Sequence, residues 1–121
     1  MQYMLLIYTD EGLWSTLTDA DRGAMYQEYG AVTQEMRDSG AFVAGDPLQG
    51  TATATTVRLR DGEQLVTDGP FAETKEQLGG YYLLDTPSLD DALAFAAKLP
   101  AARHGSVEVR PIMSMDAEAA A

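Results

Sequence analysis

Two short segments, Tyr3-Met4-Leu5-Leu6-Ile7-Tyr8 and Tyr81-Tyr82-Leu83-Leu84, are apolar on both faces when read as strands. In the first, Tyr3, Leu5 and Ile7 fall on one side and Met4, Leu6 and Tyr8 on the other, because side chains alternate along a strand. A strand of this kind has to be covered front and back. Any fold that leaves one side of these strands to water fails the chain, so the other segments must be read for what could cover them.

Thr18 followed by Asp21 resembles a capping box, and Met25, Tyr29, Val32 and Met36 then recur with helical spacing. Gly40 suits the position after a helix end, which predicts a helix over 19–39 with a Met-Tyr stripe facing the core. Thr9 to Leu17 reads as a loop, and its Trp14 either packs that loop down or forms the wall of a pocket or a dimer contact. Residues 41–44 begin a short strand that Gly45, Asp46 and Pro47 end. Val57 to Arg60 and Glu63 to Thr67 flank Asp61-Gly62, a two-residue turn that matches strand twist, and so form a hairpin. Ser88 with Asp91 starts a second helix whose stripe is Leu89, Ala92, Leu93 and Ala96, and Pro100 stops it. Ser106 to Ile112 is the last strand.

With the hairpin set aside as an insertion, the order is strand, helix, strand, strand, helix, strand. That is the ferredoxin-like α+β pattern, βαββαβ, in which the first and third strands occupy the middle of an antiparallel sheet. Those are the two strands that are apolar on both faces. Two helices cover only one face of such a sheet. The other face would leave hundreds of Å² of apolar surface wet, at roughly 25 cal/mol per Å². A second copy is the simplest cover, so the expected state is a homodimer enclosing a barrel-like interior. Residues 1–115 form one domain in this reading, and 116–121, an acidic alanine tail, fray.

Composition removes several classes of function. Nineteen acidic residues against eight basic ones give a net charge of −11, which repels phosphate backbones and anionic bilayers, so neither nucleic acid nor membrane is an expected partner. The chain has no cysteine, which excludes disulfides and thiolate chemistry and fits a reducing cytoplasm. Its start lacks a signal peptide's basic region, so a soluble, cytoplasmic protein is expected. A single histidine and scattered acids give no metal-ligand spacing, and no phosphate-binding glycine loop is present. No metal or cofactor is expected.

The densest concentration of backbone specialists and ionisable groups is Val66 to Tyr82. Asp68 is the candidate catalytic residue, a carboxylate at a cleft rim acting as base or ligand, with a turn-capping role as the plainer alternative. Gly69 and Pro70 shape the corner, and Phe71 is either a core anchor or a substrate platform. Lys75 could face an anionic ligand, or belong to a solvated cluster with Glu73 and Glu76. Gly79 and Gly80 allow close approach of a ligand or another backbone. Tyr81 or Tyr82 would line the interior with Tyr3 or Tyr8. Arg110 completes the candidate ligand-binding set of Phe71, Lys75, Tyr81, Tyr82 and Arg110, or simply pairs with Glu108 on the last strand. The lone His104 reads as a surface residue near a chain reversal.

The run Thr67-Asp68-Gly69-Pro70-Phe71-Ala72-Glu73-Thr74-Lys75-Glu76-Gln77-Leu78-Gly79-Gly80-Tyr81, with the ending His104 to Ile112, resembles the signature of the DGPF-motif group of YCII-related proteins. The resemblance spans nearly the whole chain and implies a dimeric ferredoxin-like α+β barrel. In the wider family a histidine near the first strand, paired with the motif aspartate, is proposed as an acid–base site. Here Tyr8-Thr9-Asp10-Glu11 follow the first strand, so the Asp68 position carries over and the histidine does not. Two functions stay open. One is a small-molecule-binding domain or minor enzyme, with a cavity beside Asp68 at the dimer interface. The other is a non-catalytic regulatory module, which the family's association with extracytoplasmic-function sigma factors suggests.

Overall fold

The two doubly apolar segments lie side by side at the centre of a four-stranded antiparallel sheet. The computed structural model describes residues 1–115, so the tail expected at 116–121 lies outside the described residues. In chain order the elements are β1 (Gln2–Thr9), α1 (Glu11–Thr16), α2 (Asp19–Asp38), β2 (Phe42–Pro47), a 3-10 turn (Thr51–Thr53), β3 (Thr55–Arg60) and β4 (Glu63–Asp68). They continue with β5 (Gln77–Asp85), α3 (Leu89–Lys98), α4 (Ala101–His104) and β6 (Ser106–Pro111). The large sheet has the order β2-β5-β1-β6, and β3 with β4 forms a separate two-stranded sheet. The fold is ferredoxin-like α+β, with its first and third core strands central as the pattern requires.

Tyr3 lies opposite Leu84 and Leu5 opposite Tyr82, while Leu5 meets Val109 on the other side. These residues share the face packed against the helices, where Leu5, Met36, Leu84 and Leu99 are completely buried. Met4, Leu6, Tyr8 and Leu83 point the opposite way and are only half-buried within one chain. The core cluster takes its β1 residues, Tyr3, Leu5 and Ile7, from the helix-covered face alone.

Caps fix the helix ends where the sequence places them. Thr18 accepts the Asp21 N–H at 3.1 Å to start α2, Gly40 leaves it at φ +80°, and Ser88 accepts the Asp91 N–H at 3.3 Å to start α3. Four local readings need correction. Residues 11–16 are helical rather than loop, because Asp10 accepts the Gly12 N–H at 2.8 Å and so supplies a cap. β2 does not end before Gly45 but runs to Pro47, since an edge strand tolerates proline. The buried stripe of α3 is Ala92 and Ala96, while Leu89 and Leu93 flank it in the open. Pro100 ends α3 but also begins α4, its own φ of −53° and ψ of −34° already being helical.

The hairpin is closed by Asp61 (φ 52°) and Gly62 (φ 77°), the left-handed pair that a two-residue turn needs. It stands away from the main sheet. Val57 and Val66 face each other across it, with Leu59 on the same side, and all three are more than half exposed.

Candidate functional site

A cavity of about 700 Å³ opens on the helix-covered side of the sheet, between α1, α2 and the adjoining ends of β1, β2 and β5. Its walls are largely aromatic. Trp14 and Tyr26 meet edge to face at 5.4 Å, and Phe42 and Tyr82 do the same at 6.4 Å. Tyr29, Thr33, Arg37 and His104 complete much of the lining.

Each wall has a local cause. Arg22 donates through Nε and Nη2 to the Trp14 carbonyl at 3.2 Å and stacks over the indole at 5.8 Å, locking α1 to the start of α2. The Glu11 N–H donates to Gln77 Oε1 at 2.9 Å, and the Glu11 carboxylate accepts from the Thr51 N–H and hydroxyl at 2.8 Å each. At the Tyr82 end, Gly45 leaves room for the ring, since a Cβ there would sit 2.7 Å from Tyr82 Cδ1. Gly80 lets β2 close on β5: its Cβ would fall 3.1 Å from the Asp46 carbonyl oxygen. The register of β1 against β5 slips between Ile7 and Tyr8, a bulge that falls at the paired glycines.

Of the residues singled out from the sequence, Tyr81 and Tyr82 line this cavity, and Asp68, Phe71, Lys75 and Arg110 do not. Asp68 ends the hairpin opposite Thr55, exposed, and its carboxylate has no hydrogen-bond or ion-pair partner among the described residues. The turn next to it is held instead by backbone: Gly69, at φ +98°, donates its N–H to the Ala54 carbonyl at 2.7 Å. Phe71 is not a core anchor within the chain but 77% exposed, and Lys75 lies in the open nearby. Arg110 pairs with Glu108 on the same strand. The cavity of the single chain therefore lies on the opposite side of the sheet from the one expected beside Asp68. The motif divides: its first half borders the hairpin, while Gly79 to Tyr82 line the cavity and Gln77 anchors α1 beside it.

His104 is exposed, as expected, but also belongs to the cavity lining, because the chain reverses at Gly105 against the end of β1. Sequence reasoning missed Tyr26, Thr33, Arg37 and Phe42. A usable signal existed. Thr33 and Arg37 continue from Tyr29 of the apolar stripe at four-residue steps, a mixed aromatic, hydroxyl and guanidinium row that a purely solvated face would not need. Met25 and Tyr29, read as core, line the cavity while Val32 and Met36 are buried beneath them.

Two hydroxyls titrate abnormally. Burial raises the Tyr29 pKa, an effect that a backbone hydrogen bond from Ala101 partly offsets. The Tyr81 hydroxyl donates to Asp46 Oδ2 at 2.8 Å, and that bond, with the carboxylate's charge, raises its pKa as well. For groups raised on folding, the stabilisation is complete below the ordinary tyrosine value of about 10 and is lost as pH climbs through the folded-state value. Tyr29→Phe is expected to flatten the alkaline loss of stability, measured as denaturation midpoints across that range. An unchanged alkaline slope would show that Tyr29 ionises as freely as in the unfolded chain.

Among the described residues no helix is long and apolar enough to cross a membrane, and no cluster of three or more metal-ligating side chains occurs. An uncharacterized protein of Rhizobium meliloti (strain 1021) is 42% identical over 114 residues, covering 93% of this chain and 92% of that protein. The solved 5-chloro-2-hydroxyhydroquinone dehydrochlorinase (TftG) of Burkholderia phenoliruptrix AC1100, in complex with 2,5-dihydroxybenzoquinone, aligns over 93% of this chain and 94% of its own, with 12% identity and a TM-score of 0.49. The profile of the YCII-related domain matches residues 1–116, and with the Rhizobium relative it establishes that the chain belongs to the YCII-related domain family.

Proposed function

We propose that this protein is a small-molecule-binding domain or minor enzyme of the DGPF-motif group, working as a cytoplasmic homodimer, with its ligand in the cavity walled by Trp14, Tyr29 and Tyr82. The observation that carries the reading is the cavity itself, about 700 Å³ and lined by aromatic rings with a few convergent polar groups. Volume and lining of that kind are what small-molecule sites have in common. Trp14 is the only tryptophan, so its emission reports directly on the cavity. A panel of small aromatic compounds is expected to contain members that change Trp14 emission saturably, and Thr33→Phe, which fills the space, should abolish the response while leaving circular dichroism intact. A panel with no saturable response in the unmodified protein would remove the reading.

The dimer has its own support. Met4, Leu6 and Leu83 form an apolar strip that one chain leaves half-covered, and Val57, Leu59, Val66 and Phe71 add an exposed apolar arm next to Asp68 and Lys75. Isolated two-stranded hairpins are marginal in water, and contiguous apolar patches of this kind mark contact surfaces. In this reading Asp68, Phe71, Lys75 and Arg110 lie toward a second copy rather than toward the chain's own cavity. Light scattering at micromolar concentration is expected to give twice the chain mass, and Leu6→Lys to give the single mass. A monomer in the unmodified protein would exclude the homodimer.

A further inference from the structure

We infer that the ligand of this cavity is a hydroxylated aromatic carboxylate whose carboxylate is held by Arg37; the inference rests on the cavity being the binding site. Arg37 lies in the last turn of α2, lines the cavity, and stacks its guanidinium 4.1 Å over the Phe42 ring. Stacking of this kind occupies the flat face of the group and leaves its N–H edge free, the edge that fits a carboxylate with two parallel bonds. Among the described residues that edge has no partner. Every other arginine donates to a protein oxygen: Arg22, Arg58 and Arg60 to backbone carbonyls, Arg103 to Glu28 and Arg110 to Glu108.

The acids on neighbouring positions are already engaged. Glu35 holds Lys98 at 2.8 Å, Asp38 accepts from Gln34 at 2.8 Å, and Asp46 accepts from Tyr81. A chain of net charge −11 gives an anion no long-range attraction, so an anionic ligand needs a local cation. Arg37 is that cation, and being exposed it lets a carboxylate stay partly hydrated, which keeps the desolvation cost low. The ring would then lie inward among the aromatic walls.

A second polar contact is fixed by counting protons. The Thr33 hydroxyl donates to the Tyr29 carbonyl at 2.7 Å, so its 2.8 Å contact with Tyr82 must be filled by the Tyr82 proton. The Tyr82 oxygen then offers only lone pairs to the cavity. A ligand hydroxyl can donate to it, whereas a bare carbonyl or ether oxygen there would face another acceptor.

The test compares para-hydroxybenzoate with para-hydroxybenzamide, nearly equal in shape but different in charge, by titration calorimetry and Trp14 emission. The benzoate is expected to bind about tenfold more tightly, as a two-point ion pair with the guanidinium over its bond to a neutral carbonyl allows. Arg37→Gln should erase the difference by weakening the benzoate far more than the amide, and Arg37→Lys should restore part of it. Equal affinities in the unmodified protein, or a preference that survives Arg37→Gln, would overturn the carboxylate assignment and leave the cavity reading standing. If neither probe nor the wider aromatic panel binds, the cavity reading fails and this inference with it.

Discussion

Replacing Gly105 with alanine is expected to lower the melting temperature by about 12 °C, from a loss of about 3 kcal/mol at roughly 4 °C per kcal/mol for a chain of this length. The cause is local. A Cβ at position 105 would lie 2.2 Å from the Tyr8 carbonyl oxygen and 3.1 Å from Thr9 Cα. Both are backbone atoms, so no side chain can swing aside to relieve the overlap. Relief requires β6 to draw away from the end of β1, where Tyr8 pairs with Ser106. Because His104 precedes this corner, the same displacement should widen the cavity mouth and weaken any ligand response of Trp14. A thermal scan and a ligand titration on one variant check both effects. A melting temperature within a degree or two of the unmodified protein would mean that the two segments are not held so closely in solution.

Leu5→Ala is expected to cost about 3–4 kcal/mol, the usual range for deleting a fully buried leucine that leaves a cavity behind. Leu5 has no exposed surface and stands in the central strand between Tyr82 and Val109, beneath α2 and α3. Chemical denaturation measures it, with the midpoint falling and the slope unchanged. Leu6→Ala makes the informative partner. Its side chain is on the opposite face and half-buried in one chain, so within a monomer the change should cost under about 1.5 kcal/mol. A cost close to that of Leu5→Ala would show that the second face is covered too, and a concentration-dependent midpoint would identify the cover as another copy. A Leu5→Ala cost below 1 kcal/mol would mean that this central position is not the packed core described here.

The architecture was legible because alternation is a local property. Residues 3–8 and 81–84 each declare two apolar faces within a few positions, and only central strands satisfy that demand. Thr18, Gly40, Ser88 and Asp61-Gly62 mark ends and turns through their own backbone and side-chain preferences, and each does so in the structure. Where a neighbour distant in sequence decides the outcome, the reading fell short. The helix at Glu11–Thr16 has a local cap in Asp10 that the reading passed over, but Thr51 and Gln77 hold it against the sheet, and the extra length of β2 depends on β5 beside it. The exposure of Leu89 and Leu93 follows from α3 settling on its alanines.

The sequence by itself determined the order of the strands and the two main helices and which two strands are central, since these follow from the spacing of apolar side chains and from residues with fixed conformational habits; which face of each central strand meets the helices was settled only by packing. Tertiary structure alone decided where the cavity lies and which side chains enter it. Trp14, Arg37, Phe42, Tyr82 and His104 are spread along most of the chain, and they meet only because α1 is tied down by Gln77 and Thr51 and because Gly45 and Gly105 let segments approach within contact distance. Closure between distant segments depends on the shape of the whole packed layer, and no window of neighbouring residues carries that information.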